Sequence, residues 1–144
     1  MISLLYKPEI VRQIIMEHYL KPTHLQVNQP QDKIIKHGES CADYLEYSYS
    51  LQDNKIINLT FNAKGCAFFI ASTDLLIDKI NLTSIDTALS IINSYEKLIN
   101  NESISEDEKE KLGELLIFEN VARHHNRLFC ASMLSSSIKE ILNE

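Results

Sequence analysis

DYLEYSYSLQDNKIINLTF, residues 43–61, decides the fold. Its first half alternates, with Leu45, Tyr47, Tyr49 and Leu51 on one side and polar residues between them. That is the period-two pattern of a strand with one buried face. QDNK then reads as a turn, and KIINLTF as a second alternating strand with Ile57, Leu59 and Phe61 inward. A shorter run, DKIIKH, precedes the pair and joins it through the turn HGES. Three strands in series with tight turns make an antiparallel meander.

The stretches on either side read as helices. PEIVRQIIMEHYLKP carries Pro8 in its first turn, where the missing N–H costs nothing, and Pro22 stops it. Ile10, Ile14 and the Met16–His18 region supply its apolar stripe, and residues 23–31 form a loop. Beyond the turn AKG, CAFFIASTDLLIDKI reads as a helix that begins at or just after Cys66. SIDTALSIINSYEKLI is another, with Ser84 as N-cap. SEDEKEKLGELLIFEN reads as a third, its acidic first turn suited to the positive end of the helix dipole. The last is CASMLSSSIKEILNE, with Ala131, Leu134, Ile138 and Leu142 on one face. The layout is α+β, a three-stranded antiparallel sheet with helices packed mainly on one face, in a single domain spanning 1–144.

Composition narrows the function classes. The chain has 144 residues, 44% hydrophobic and 24% charged, with a net charge of -6. No basic stripe for nucleic acid appears, and no apolar run approaches the ~18 residues of a membrane span. MISLLYKPEI lacks the apolar core and cleavage site of a secretion signal. The sequons at Asn58, Asn81 and Asn101 are what an Asn-rich chain produces by chance. Three cysteines without such a signal point to a reducing, cytoplasmic setting, where thiols serve as metal ligands, nucleophiles or core residues.

Their positions are informative. Cys41 falls in the turn that opens the second strand, whereas Cys66 and Cys130 each fall where a loop becomes a helix. Unpaired N–H groups at a helix start favour the thiolate, the form that binds metal and attacks sulfur. In an extended chain, residues two apart point the same way, so Cys41 and Asp43 can aim at one point. Two further sulfurs would complete the tetrahedron zinc favours. The intervals between the cysteines are long and no C-x-x-C occurs, so three unrelated buried thiols stand as the alternative.

Four segments, in order along the chain, resemble the SufU/IscU scaffold family. VRQIIMEHYLKP (11–22) is similar to its opening helix with I-x-x-H-Y-x-x-P. CAD (41–43) resembles its C-G-D, and FNAKGCAFFIAS (61–72) its F-x-G-x-G-C-x-x-x-x-A-S. RLFCAS (127–132) resembles its R-x-x-C-A-T. Phe129 in place of a histidine before the last cysteine, Arg127, and the added segment 100–122 resemble the SufU branch. Ala42 and Ala63 stand where the family has glycines, and the tryptophan usual after the last cysteine is missing, with Ser136 in that region.

The resemblance implies one zinc ion on Cys41, Asp43, Cys66 and Cys130, and a pyridoxal-phosphate cysteine desulfurase (SufS-like) as partner. It implies persulfide sulfur as the cargo, which passes on to iron–sulfur acceptor or assembly proteins. Cys41 is read as its acceptor, because a ligand from a turn leaves a metal more easily than one anchored at a helix start. The alternative the resemblance carries is a scaffold that holds a transient [2Fe–2S] cluster on the same ligands. A cation three residues from a thiolate favours its ionised form, so Arg127 is read as functional, able to steer an incoming persulfide. The remaining candidates read as structural. His124 and His125 are taken as solvated loop residues, His18 and the tyrosines 44, 47 and 49 as packing, and Glu106, Asp107, Glu108 and Glu110 as a solvated helix start. An interaction domain with incidental cysteines is the third possibility.

Overall fold

The computed structural model describes residues 6–38 and 43–143. The turn HGES beyond Gly38, and with it Cys41 and Ala42, lies outside the described residues, as does the side chain of His125. The meander is present: β1 (Ile34–His37), β2 (Tyr44–Gln52) and β3 (Lys55–Lys64) form one antiparallel sheet in the order β1-β2-β3. Asp53 and Asn54 link β2 to β3, both in the left-handed region at φ 54° and 64°. Two such residues give a hairpin the twist that matches its strands, and Asn and Asp tolerate the conformation.

One inward residue differs from the expected pattern. Ile56, not Ile57, is fully buried, together with Leu59 and Phe61. The register slips between Ser48 and Ser50, and Asn58 adopts φ 55°. This β-bulge inserts one residue into β3 and shifts the alternation by one place on its hairpin side. On β2, Leu45 and Tyr47 are buried, but Leu51 is 54% exposed. At the hairpin end only Ile56 is covered, by the chain after α2, through Ile56 N–H to Thr83 O (2.8 Å) and Leu82 N–H to Ile56 O (2.7 Å).

The helices are α1 (Pro8–Leu20), α2 (Ala67–Ile80), α3 (Ile85–Ile99), α4 (Glu106–Leu112) and α5 (His125–Leu142). α2 lies at the centre, against α1, α3, α5 and β3, and most of its residues from Phe69 to Ile80 are buried. On α1 the buried residues are Ile14 and Ile15, while Ile10 and Met16 are about two-fifths exposed. The stripe therefore runs Val11, Ile14, Ile15, His18, rotated from the one expected. Ser84 caps α3, its hydroxyl accepting from Thr87 N–H at 3.1 Å.

The acidic segment is not one helix. α4 opens with a capping box, in which Glu108 N–H bonds the Ser105 hydroxyl and Ser105 N–H bonds the Glu108 carboxylate. It stops at Gly113 (φ 53°), and the chain continues as 3-10 turns over Gly113–Phe118 and Val121–Arg123. Glu108 also accepts from the Ser94 hydroxyl at 2.7 Å, so it ties α4 to α3 rather than merely facing water. These bonds, that from the Ser105 backbone first, hold its carboxyl below the usual range.

α5 begins five residues before Cys130, so this cysteine lies in the second turn and not at a helix start. Ala131, Leu134 and Ile138 are buried as expected, and Leu142 is half-buried. α5 meets the sheet through Tyr47, whose hydroxyl bonds Ser137 Oγ at 2.6 Å and whose ionisation burial pushes up to about 12. No helix among the described residues is long and apolar enough to cross a membrane.

Candidate metal centre

Three of the expected ligands meet at one end of the molecule. Asp43 stands just before β2, Cys66 is the N-cap of α2, and Cys130 lies on the facing turn of α5. Their donor atoms lie within 4.8 Å of one another. Cys41, the fourth, lies outside the described residues.

Each placement has a local cause. Gly65 turns the chain from β3 into α2 so closely over Asp43 that a Cβ there would collide with Asp43 Oδ1 and sit 2.7 Å from Phe69 Cδ2. A residue without a side chain lets the carboxylate lie under the start of the helix. There the Cys66 backbone N–H donates to Asp43 Oδ1 at 3.2 Å. The Cys66 thiol makes no capping bond, so its sulfur points away from the helix it opens, toward Cys130 Sγ at 3.6 Å.

The donor set fits a metal ion on two counts. Cys66 and Cys130 are not bonded to each other, since 3.6 Å is far beyond the ~2.05 Å of a disulfide. It is close to the about 3.8 Å that a tetrahedral ion with metal–sulfur bonds near ~2.3 Å sets between two sulfurs. Asp43 is only 4% exposed, and its Oδ2 is buried without a hydrogen-bond partner among the described residues. An uncompensated buried carboxylate oxygen is costly, and a cation is the partner that most reduces that cost.

The other candidates fall elsewhere. His124 is exposed, serves as N-cap of α5 and is not part of the ligand cluster. Arg127 is exposed, with its Cζ stacked 4.4 Å from the centroid of the Phe68 ring. His18 packs as expected, but also bonds Asp74 Oδ2 through Nδ1 at 2.6 Å. Asp74 is fully buried and accepts as well from the backbone N–H groups of Thr23 (3.0 Å) and His24 (2.8 Å). Sequence reasoning missed this hub, although an acid inside the run FFIASTDLLI was a visible signal.

The family profile described as the NifU-like N-terminal domain matches residues 10–131. The chain belongs to the NifU-like N-terminal domain family. Within this family, the chain is 23% identical over 124 residues to the zinc-dependent sulfurtransferase SufU of Bacillus subtilis, covering 86% of this chain and 83% of that one. It is 19% identical over 129 residues to the iron–sulfur cluster assembly scaffold protein IscU of Streptococcus pyogenes, covering 90% and 80%. Among solved structures, a candidate SUF-system scaffold from Fervidobacterium islandicum superposes with a TM-score of 0.78 at 20% identity, covering 94% of this chain and 99% of that one. The NifU-like domain of Brucella abortus superposes with a TM-score of 0.75, covering 91% and 90%. At these identities the structural likenesses establish the NifU-like fold, and the site rests on its own geometry.

Proposed function

We propose that this chain is a zinc-dependent sulfur-transfer protein that accepts persulfide sulfur from a pyridoxal-phosphate cysteine desulfurase for iron–sulfur cluster biogenesis. The observation that carries the reading is the convergence of the Asp43, Cys66 and Cys130 donor atoms around a carboxylate oxygen with no partner. The similarity to a relative named as a zinc-dependent sulfurtransferase adds to it. Asp43, Cys66 and Cys130 would hold the ion, with Cys41 as the fourth ligand. Zinc so held would keep the sulfurs as thiolates and tie β2, α2 and α5 together at one end.

Cys41 is the acceptor in this reading. Its thiolate attacks the terminal sulfur of the partner's cysteine persulfide, and a new S–S bond forms. The partner's own S–S bond breaks, its cysteine leaves as thiolate, and the transferred sulfur keeps its proton. Cys66 caps α2 and Cys130 stands on α5, so both hold their places, while Arg127 offers a cation to the incoming persulfide. The sulfur then passes to iron–sulfur acceptor or assembly proteins.

Native mass spectrometry tests the metal: one zinc per wild-type chain is expected, and none on Cys66→Ser. Full occupancy in that variant would remove the site. With a desulfurase and cysteine, the protein should accelerate alanine release, and Cys41→Ser should abolish the gain. Persulfide trapped on Cys130 with stimulation intact in Cys41→Ser would overturn the choice of acceptor. The relatives named as IscU scaffolds favour a second reading, a [2Fe–2S] cluster held on the same residues as cargo. Brown protein after anaerobic purification would support it over the zinc relay.

A further inference from the structure

Arg127 precedes Cys130 by three residues on α5. Side chains so spaced are neighbours, with Cβ atoms about 5–6 Å apart, and an arginine is longer than that gap. Close to the Cys130 sulfur lies Asp43, whose Oδ2 has no hydrogen-bond partner among the described residues. A guanidinium at this position has a ready target in that oxygen. It does not take it. Its Cζ lies 4.4 Å from the centroid of Phe68, and it forms no ion pair among the described residues.

The ring that holds it is itself held. Phe68 meets Phe118 of the 3-10 segment edge-on, with centroids 6.4 Å apart and planes at 64°. Phe118 meets Tyr95 of α3 at 6.4 Å and 90°, and the Tyr95 hydroxyl donates to Ala131 O at 2.8 Å, one residue beyond Cys130. A row of three rings therefore starts at the α5 backbone next to Cys130, passes through α3 and the added segment, and ends under the guanidinium at the first turn of α2. Edge-to-face pairs of this kind fix ring planes, and a fixed ring face is what a cation needs.

We infer that Phe68 is a positioning residue that holds the Arg127 guanidinium by its face, clear of the Asp43–Cys66–Cys130 donors. Asp43 thereby stays available to a metal ion instead of being taken by an internal cation. The guanidinium keeps its N–H edge for a visiting anion, which is the partner's persulfide if the function proposed above holds; the restraint on Arg127 does not depend on that reading.

Phe68→Leu keeps an apolar side chain and removes the ring, whereas Phe68→Tyr keeps the ring. The Arg127 Hδ and Hε resonances should be shifted upfield by ring current in the wild type and in Phe68→Tyr, and should return to ordinary positions in Phe68→Leu. Zinc affinity, measured against a competing chelator, should fall about threefold or more in Phe68→Leu. It should recover in Phe68→Leu/Arg127→Ala, where the competing cation is gone. A packing defect alone would leave the double variant as weak as the single one. Arg127 resonances unshifted in the wild type, or a double variant no tighter than Phe68→Leu, would overturn the inference. Wild-type protein that binds no zinc would overturn the proposed function instead, and the resonance shifts would still decide the role of Phe68.

Discussion

Two aspartates are buried in this protein, and they are buried differently. Asp74 is fully enclosed and saturated, accepting from the His18 ring and from the Thr23 and His24 backbones. It clips the end of α1 and the following loop onto the central helix. Asp43 is 4% exposed, accepts from Cys66 N–H through one oxygen and has no partner for the other among the described residues. A saturated buried carboxylate holds structure together, whereas an unsaturated one beside two thiols is waiting for a ligand.

The difference should break first at Asp74. Asp74→Ala leaves two backbone N–H groups and an imidazole unmet, at ~1–3 kcal/mol each where water cannot replace the carboxylate. We expect a loss of about 3 kcal/mol or more by urea denaturation, whether or not metal is present; a variant as stable as wild type would refute the clip. Gly65→Ala comes next, because the added methyl meets both Asp43 and Phe69. Overpacking should cost about 1–3 kcal/mol and displace the carboxylate, so metal binding should weaken although every ligand remains. Retained affinity by chelator competition would show that the turn is not what aims Asp43.

Asp43→Ala is the sharpest contrast with Asp74→Ala. It removes an unsatisfied oxygen, and the Cys66 N–H freed from the other oxygen belongs to an exposed residue that water can reach. The metal-free protein should therefore keep its stability within about 0.5 kcal/mol. The rise in Tm on adding zinc should shrink. A large loss in the metal-free state would mean that Asp43 is structural like Asp74.

The smallest effect concerns Glu119, where burial raises the carboxyl above its usual range. A raised folded value means that the native state prefers the protonated form, so the ionised group opposes folding at neutral pH. Glu119→Gln should raise Tm slightly at pH 7, and the gain should vanish as the pH falls below the ordinary carboxylate range. A gain that persists in acid would point to another cause.

Strand order and the central helix are legible in the sequence because their residues repeat with a fixed period or stand beside turn formers. Cys66 is legible as a helix start, since GC after a strand announces one. Cys130 is not, because the cap former in HHNRLF, Asn126, lies inside α5, and the N-cap position falls to His124, which makes no side-chain cap bond. The bulge at Asn58 is illegible for a related reason: an asparagine in a strand gives no sign of whether it will turn left-handed. The convergence of Asp43, Cys66 and Cys130 can only be conjectured from the chain, because nothing in intervals that long records the fold that closes them. The Phe68–Arg127 stack joins residues 59 positions apart, one of them in what reads as an ordinary apolar run.

The outer side of β3 carries one further consequence. Backbone bonds clasp it at both ends: His24 O and Gln26 N–H at Phe61, and Thr83 O and Leu82 N–H at Ile56. A strand from another copy cannot add there without first opening a clasp. The outer side of β1 has no such cover among the described residues, yet it is only four residues long, with Lys33 and Lys36 in and beside it. Short length and lysines are what discourage edge-to-edge growth of sheets. This protein would therefore resist fibrous self-association by two means at once, one rim occupied by its own chain and the other too brief and too charged to serve as a template.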